Sequence, residues 1–597
     1  MRLLPVLIFC FCAVCAILLG AAGASPIPDA GVPIMPASEV KKGMQGYGLT
    51  VFEGSAIERF NAEIVGVLYN TGARSDLILA RLSGGPLAET GVISGMSGSP
   101  VYIEGKLIGA VAYAWGMTKS AIAGITPIQE MLDTFSFEGR PAPRPFKMEK
   151  ATNTEINGLS YPQQGLNKVA TPLVIAGIHP EVYPQLAKAM ESEGFLPIPG
   201  GEAGSGVTAE QANLRLAPGS AVGVQLVGGD ISMTGIGTVT WVGSGKDANA
   251  VLAFGHPMMM RGDSSFPMTT AWIHTVMPSY NVSFKIGSSL ASVGAIQQDR
   301  AAAIGGRVGV PADTIPVKLA FQIGDRNRGY TLSFIRDPQL FARLFSSTVQ
   351  SIILENSAQY GLITLGIEYA FTLRETKSGR RETIRIKDGF ASLMSSAAWQ
   401  ASLQALVQPI MEAIFSERVD AAIDDIAITI TALPEIAAVE ISGIAADRKK
   451  VRPGDLVTLT VELTPWHEKP FYEKVQIKVP EDTANAKIFF IASSTAAERY
   501  WDRYFGEGKY DHYSFDSLVR ALSINHDPTE LAIWTELSQL GIVAGDEHLP
   551  NLPDSRFLML ARSNTPRMRF LNGRLRSLNP TSHFLYGMQY VVLDMTE

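Results

Sequence analysis

Gly95-Met96-Ser97-Gly98-Ser99-Pro100 sets a serine between glycines at a point where the chain must turn sharply. Glycine tolerates the left-handed backbone that lifts a hydroxyl out of a turn while the turn's own N–H groups converge on one spot. That combination suits acyl transfer, with the serine as nucleophile and the N–H groups holding the oxyanion. The plainer reading is a turn serine in a glycine-rich hairpin. Other chemistries find less support. Gly-x-Ser-x-Gly is absent because Ser99 stands where its last glycine would be, so an α/β-hydrolase elbow is disfavoured. Gly243-Ser244-Gly245-Lys246 lacks the rest of a P-loop and reads as a hairpin turn. There is no His-Glu-x-x-His, no paired cysteine motif and no EF-hand spacing, and Met258-Met259-Met260 reads as a hydrophobic wall. No metal and no cofactor is expected.

The elements around Ser97 read as β structure. Val101 to Ile103, a Glu104-Gly105 turn and Leu107 to Val111 form a hairpin with the serine at its mouth. Gly124-Ile125-Thr126-Pro127 then leads into a short helix, and short apolar runs broken by glycine fill Gly31 to about Gly139. A second β-rich block follows, with strands at Ala221 to Val227, Ile231 to Val242 and Ala248 to Phe254. It ends at Gly255-His256-Pro257.

Gly95-Met96-Ser97-Gly98-Ser99-Pro100 resembles the Gly-x-Ser-Gly-Gly-Pro signature of trypsin-like peptidases and, more closely, the Gly-Met-Ser-Gly-Ser-Pro of the SpoIVB peptidases. Glu39 to Gly43, Phe60 to Val65 and Glu89-Thr90-Gly91 extend the likeness upstream. The resemblance implies a trypsin-like double β-barrel, with Ser97 as nucleophile and the Gly95 and Ser97 N–H groups as oxyanion donors. It also implies a histidine in a Leu/Phe-Gly-His stretch, after an element like Gly235-Ile236-Gly237-Thr238, which makes His256 the base. In that family the histidine half precedes the serine half. Here Ser97 comes about 160 residues before His256, so the halves are expected in permuted order. The family's PDZ-like segment is not apparent.

A nucleophilic serine needs a base titrating near working pH within hydrogen-bond reach. His274 is the one rival in the block of His256, and the bland alternative is a strand-end histidine satisfied by its neighbours. The carboxylate that the resemblance places shortly before the serine is missing from Arg81-Leu82-Ser83-Gly84-Gly85-Pro86. Asp299, beside Arg300, is the first substitute and Asp263 the second, although an ion pair or a turn would account for either. A hydroxyl or a backbone carbonyl could orient the ring instead.

With 597 residues and 18% charged side chains, the chain is an ordinary globular one of several domains. Residues 1–24, with Arg2, an apolar run and Ala22-Gly23-Ala24, read as a cleaved signal peptide, so an extracytoplasmic location, periplasmic or secreted, is expected. All three cysteines lie in that run, which leaves no thiol nucleophile and no disulfide afterwards. The net charge of −7 argues against general nucleic-acid binding. The expected order is a serine-bearing barrel half at 25–150, a linker with one helix at 151–210, and a histidine-bearing half at 211–330. An α+β block at 331–435, an immunoglobulin-like sandwich at 436–494 and a C-terminal α/β domain at 495–597 complete the mainly β chain. A serine endopeptidase acting on protein or peptide substrates is the first reading. A catalytically inactive envelope protein, keeping the barrel as a binding module and holding partners through its C-terminal domains, is the alternative.

Overall fold

The structure is a computed structural model describing residues 31–596 apart from 73–74, 116–117, 119, 138–165, 202–207, 358–361, 393–405, 415–418, 482–485, 506–513, 524–526, 545–546, 550–551 and 563–567. The expected signal peptide lies outside the described residues. The fold is mainly β, and the chain divides into two compact units, one comprising residues 1–177 and 187–314 and the other 178–186 and 315–597.

The first unit contains two closed barrels. In the first, β1 (Gln45–Thr50), β2 (Glu58–Gly72), β3 (Ser75–Ser83), β4 (Pro100–Ile103), β5 (Lys106–Trp115) and β6 (Ile122–Pro127) pair in the cyclic order β1-β2-β3-β6-β5-β4. Inward positions alternate along the strands, and Phe60, Ala62, Ile64, Ile78, Ala80, Val101, Ile108 and Ile125 fill the interior. Three strands then follow: β7 (Leu166–Lys168) on β5, β8 (Thr171–Ala176) and β9 (Phe195–Pro199). The second barrel is built from β10 (Ala221–Gly229), β11 (Ser232–Val242), β12 (Ala250–Ala253), β13 (Gly262–Met277), β14 (Phe284–Arg300) and β15 (Ala303–Val308). Its cyclic order is β10-β11-β12-β15-β14-β13, the same connectivity as the first. The two barrels are therefore topological duplicates. The histidine-bearing barrel closes at Val308, short of the expected 330, because the next strand, Thr314–Ile323, runs parallel to Ala421–Leu433 instead.

In the second unit, Ala421–Leu433 also pairs with Ile363–Glu375, which pairs with Arg381–Ser392. Helix Pro338–Ser357 packs Phe341 and Phe345 against Phe334. Residues 390–392 finish strand Arg381–Ser392, because Phe390 and Ala391 continue its ladder against Leu365 and Thr364; residues 406–414 are helical. The expected sandwich forms, but not within 436–494 alone. Phe584–Tyr586 adds to the sheet of Ala438–Ala446, Leu456–Pro465 and Phe471–Lys478, while Met588–Met595 and Glu530–Ala544 flank Lys487–Ser494. Val457, Leu459, Val461, Phe490, Ile533 and Leu593 share one core. The strand at 487–494 needs neighbours to satisfy its backbone, and the tail beyond 495 supplies them.

Candidate active site

Ser97 sits in the connection between helix Leu87–Thr90 and β4, and its turn is fixed from both sides. Gly95 and Gly98 adopt φ of 96° and 93°, a conformation open to glycine but strained for other residues. Every carbonyl from Gly95 to Ser99 has a donor. The Thr238 hydroxyl donates to Gly95 O (2.9 Å), the Ser99 N–H to Met96 O (2.9 Å) and the Thr238 N–H to Ser97 O (2.8 Å). The Thr240 hydroxyl donates to Gly98 O (2.7 Å) and the Val111 N–H to Ser99 O (3.0 Å). The N–H groups of Met96 and Gly98 donate to Ile93 O and Val111 O. Among the described residues, the N–H groups of Gly95 and Ser97 have no such acceptor. These are the two donors that the trypsin-like resemblance names.

The second barrel supplies three of those five carbonyl bonds, through Thr238 and Thr240 on β11. It also brings in His256. After β12, Phe254 and Gly255 take φ of 70° and 68° and turn the chain toward the first barrel. There Gly255 O accepts from the Thr126 hydroxyl (2.6 Å), and Gly255 packs beside Ala110 and Ala112. The approach leaves no spare room: a β-carbon on Gly98 would lie 2.5 Å from Phe254 N.

The His256 ring is wholly buried, and burial pushes its pKa down to about 4, with Lys168 adding to the shift and the Pro257 and Val169 carbonyls opposing it. Its Nδ1 lies 2.8 Å from Pro257 O, which assigns the proton to Nδ1 and leaves the Nε2 lone pair for a donor. Among the described residues, neither Nε2 nor the Ser97 hydroxyl, also fully buried, has a hydrogen-bond partner. The two side chains thus share the seam between the barrels without bonding to each other. The chain just after strand β7 runs beside His256: β7 pairs antiparallel with β5, the Val169 N–H donates to Ala112 O (2.8 Å), and Lys168 Nζ donates to Met258 O (3.2 Å).

Neither expected carboxylate bonds to the imidazole. Asp299, at the end of β14, accepts from the N–H groups of Met258 (2.8 Å), Met259 (2.8 Å) and Arg261 (3.1 Å), so it shapes the loop after His256 rather than holding the ring. Burial raises its pKa, and these three bonds oppose the rise. Asp263 pairs with Arg300 (2.6 Å) and Gln298 (3.0 Å), which leaves it a structural ion pair. The ring is oriented by a backbone carbonyl. His274 is bonded to Ser288 (2.8 Å). Of the methionine run, Met258 is buried and Met260 is exposed, so only the first serves as an inner wall. A cleft of about 770 Å³ adjoins the loop, lined among others by Asp76, Tyr113, Glu130, Met260, Asp299 and Arg300. Among the described residues no cluster of His, Cys, Asp and Glu could hold a metal.

Asp299→Asn separates the two roles of that carboxylate. A ring-holding aspartate costs about 10⁴-fold in kcat when changed to Asn. Here the expected result is a lower melting temperature, from weakened bonds to the 258–261 loop, with reactivity at Ser97 reduced by only about tenfold. A thermal melt read beside active-site labelling checks both.

Thr238, Thr240 and Lys285 are absent from the sequence-based site. Thr238 stood in the Gly-Ile-Gly-Thr element, but nothing local marks it as a partner of the serine turn. The family described as SpoIVB peptidase S55 matches residues 20–132, which contain the first barrel and Ser97 and end before His256. No curated protein and no solved structure matches the chain.

Proposed function

From an N-terminal segment of SpoIVB-type peptidase sequence, we propose that the chain is an extracytoplasmic serine endopeptidase working through an acyl-enzyme on Ser97. One observation carries this reading: in a turn whose five carbonyls are all engaged, the two N–H groups left over are those of Gly95 and Ser97. Backbone groups held in place at no cost during the reaction are what stabilises a tetrahedral oxyanion. His256 Nε2 takes the Ser97 hydroxyl proton as the hydroxyl oxygen bonds to the peptide carbonyl, and returns it to the leaving amine. Water, activated by the same nitrogen, then releases the acyl group. The Pro257 carbonyl holds the productive tautomer in place of an aspartate. Ser97 and His256 are both fully buried, so the seam must open enough for substrate to enter.

The test is labelling of the mature chain with a fluorophosphonate, located by mass spectrometry. A single adduct on Ser97, abolished in Ser97→Ala, is expected. A folded chain that stays unlabelled would turn the reading to the non-catalytic binding module, which the absence of a carboxylate on the ring favours.

A further inference from the structure

A lysine lies buried behind the serine turn, and the mechanism above makes no use of it. Lys285, on β14 of the second barrel, has no solvent exposure. Its Nζ donates to the Thr50 hydroxyl on β1 (2.8 Å) and lies 3.5 Å from the Thr238 hydroxyl on β11. No carboxylate pairs with it among the described residues, and burial alone lowers its pKa to about 7. An ammonium sealed in a protein interior without a counter-ion is costly, so a structural strut would be better made of apolar atoms.

The surroundings of Lys285 converge on the oxyanion turn. Its N–H donates to Ser94 O (3.0 Å), one residue before Gly95. Its methylene chain lies against Gly95, where an added β-carbon would sit 3.2 to 3.3 Å from Cβ, Cγ and Cδ. The Thr238 hydroxyl donates its only proton to Gly95 O and must therefore accept from Nζ, which makes Lys285, Thr238 and Gly95 a relay of directed bonds. Thr238 also holds Ser97 O through its own N–H.

We propose that Lys285 is a positioning residue for peptide hydrolysis, holding the Gly95–Ser97 turn in its oxyanion-binding shape through Thr238. The assignment rests on the reading of Ser97 as the nucleophile. Lys285 does not bond to the reacting hydroxyl; its relay fixes the Gly95–Met96 peptide, which joins the peptide carrying the Gly95 N–H to the one carrying the Ser97 N–H, so that the two donors keep their relative direction. The methylene packing fixes where Gly95 lies, and the polar end fixes how its carbonyl, and so the adjoining peptide, is turned.

The test compares full-length wild type with Lys285→Met, which keeps the chain's bulk and removes the amine, and with Thr238→Val, which cuts the relay one bond later. Fluorophosphonate inactivation is resolved into its limiting rate and its half-saturating concentration, beside a melting curve. An oxyanion donor displaced from its line costs rate, not binding. Lys285→Met should lower the limiting rate about 10- to 100-fold, leave half-saturation within about threefold, and melt no lower than wild type. Thr238→Val should lose rate in the same way. Wild-type rates in both variants overturn the proposal, as does a Lys285→Met loss matched by a fall in melting temperature while Thr238→Val stays normal. Should Lys285→Met fail to fold, Thr238→Val decides alone. If wild type itself is never labelled, the nucleophile reading falls and takes this one with it, an outcome distinct from a labelled wild type with equally fast variants.

Discussion

Gly98→Ala should destabilise the N-terminal unit by about 4 kcal/mol and abolish labelling of Ser97, since two independent penalties meet at one residue. Its φ of 93° is strained for any side chain, and the new β-carbon would lie 1.9 Å from Thr238 O and 2.5 Å from Phe254 N. Both obstacles are backbone atoms, so no rotamer change relieves them. The barrels must part or the serine turn must change shape. Gly105→Ala is the control: Gly105 also has positive φ, 75°, but a β-carbon there meets nothing within 4 Å. Its cost should stay near 1 kcal/mol with labelling intact. Urea titrations of the two variants check the contrast, and equal midpoints would refute the account of the seam.

His256→Ala should slow labelling by about 10³-fold, within the range that a positioned general base contributes. The pH dependence distinguishes this base from an ordinary histidine. Its folded-state pKa of about 4 lies below the ordinary 6.5 and below the near-neutral value the serine needs, so the ring is a weaker base, yet it stays neutral and able to accept a proton down to about pH 4. Wild-type labelling should therefore hold its rate from pH 7 to about 5 and fall by half near pH 4, where a solvent-exposed histidine would have lost half its rate by 6.5. Stability carries the same signature with a definite sign. Between pH 4 and 6.5 the unfolded chain binds a proton that the folded chain excludes, so this group's contribution rises with pH through that window and is level above it. In His256→Ala the corresponding slope of urea midpoint against pH should be smaller. An acid limb at 6.5 would show that the ring is hydrated in the reactive state.

What could be read from the sequence is what short-range chemistry encodes. The serine turn is marked by glycines that only a left-handed backbone requires, and His256 by the Phe-Gly-His-Pro that ends a strand. The β13 and β14 carboxylates were visible as residues but not as partners. Whether Asp299 reaches a ring or three N–H groups depends on the path of residues 257 to 261, which no periodicity reports. Lys285 was hidden for a different reason. In Phe284-Lys285-Ile286 a lysine reads as the solvent face of an alternating strand, and only Thr50, 235 residues away in sequence, shows that this face is closed by another barrel. The sandwich was legible strand by strand in 456–463, 475–480 and 487–492, whereas Met588–Met595, which completes it, is paired across about 100 residues. Long-range partners are chosen by shape and hydrogen-bond demand, and alternation alone does not name them.

The burial of Ser97 has a kinetic consequence. If only a fraction of molecules expose Ser97 at any instant, every apparent affinity and every second-order rate measured on this protein is the intrinsic value multiplied by that fraction. A site open one part in a hundred would make an efficient peptidase look about 100-fold poorer than its chemistry, and equally so toward every substrate and inhibitor. Discrimination between substrates would survive unchanged, while the absolute second-order rate would be set by whatever exposes the serine turn.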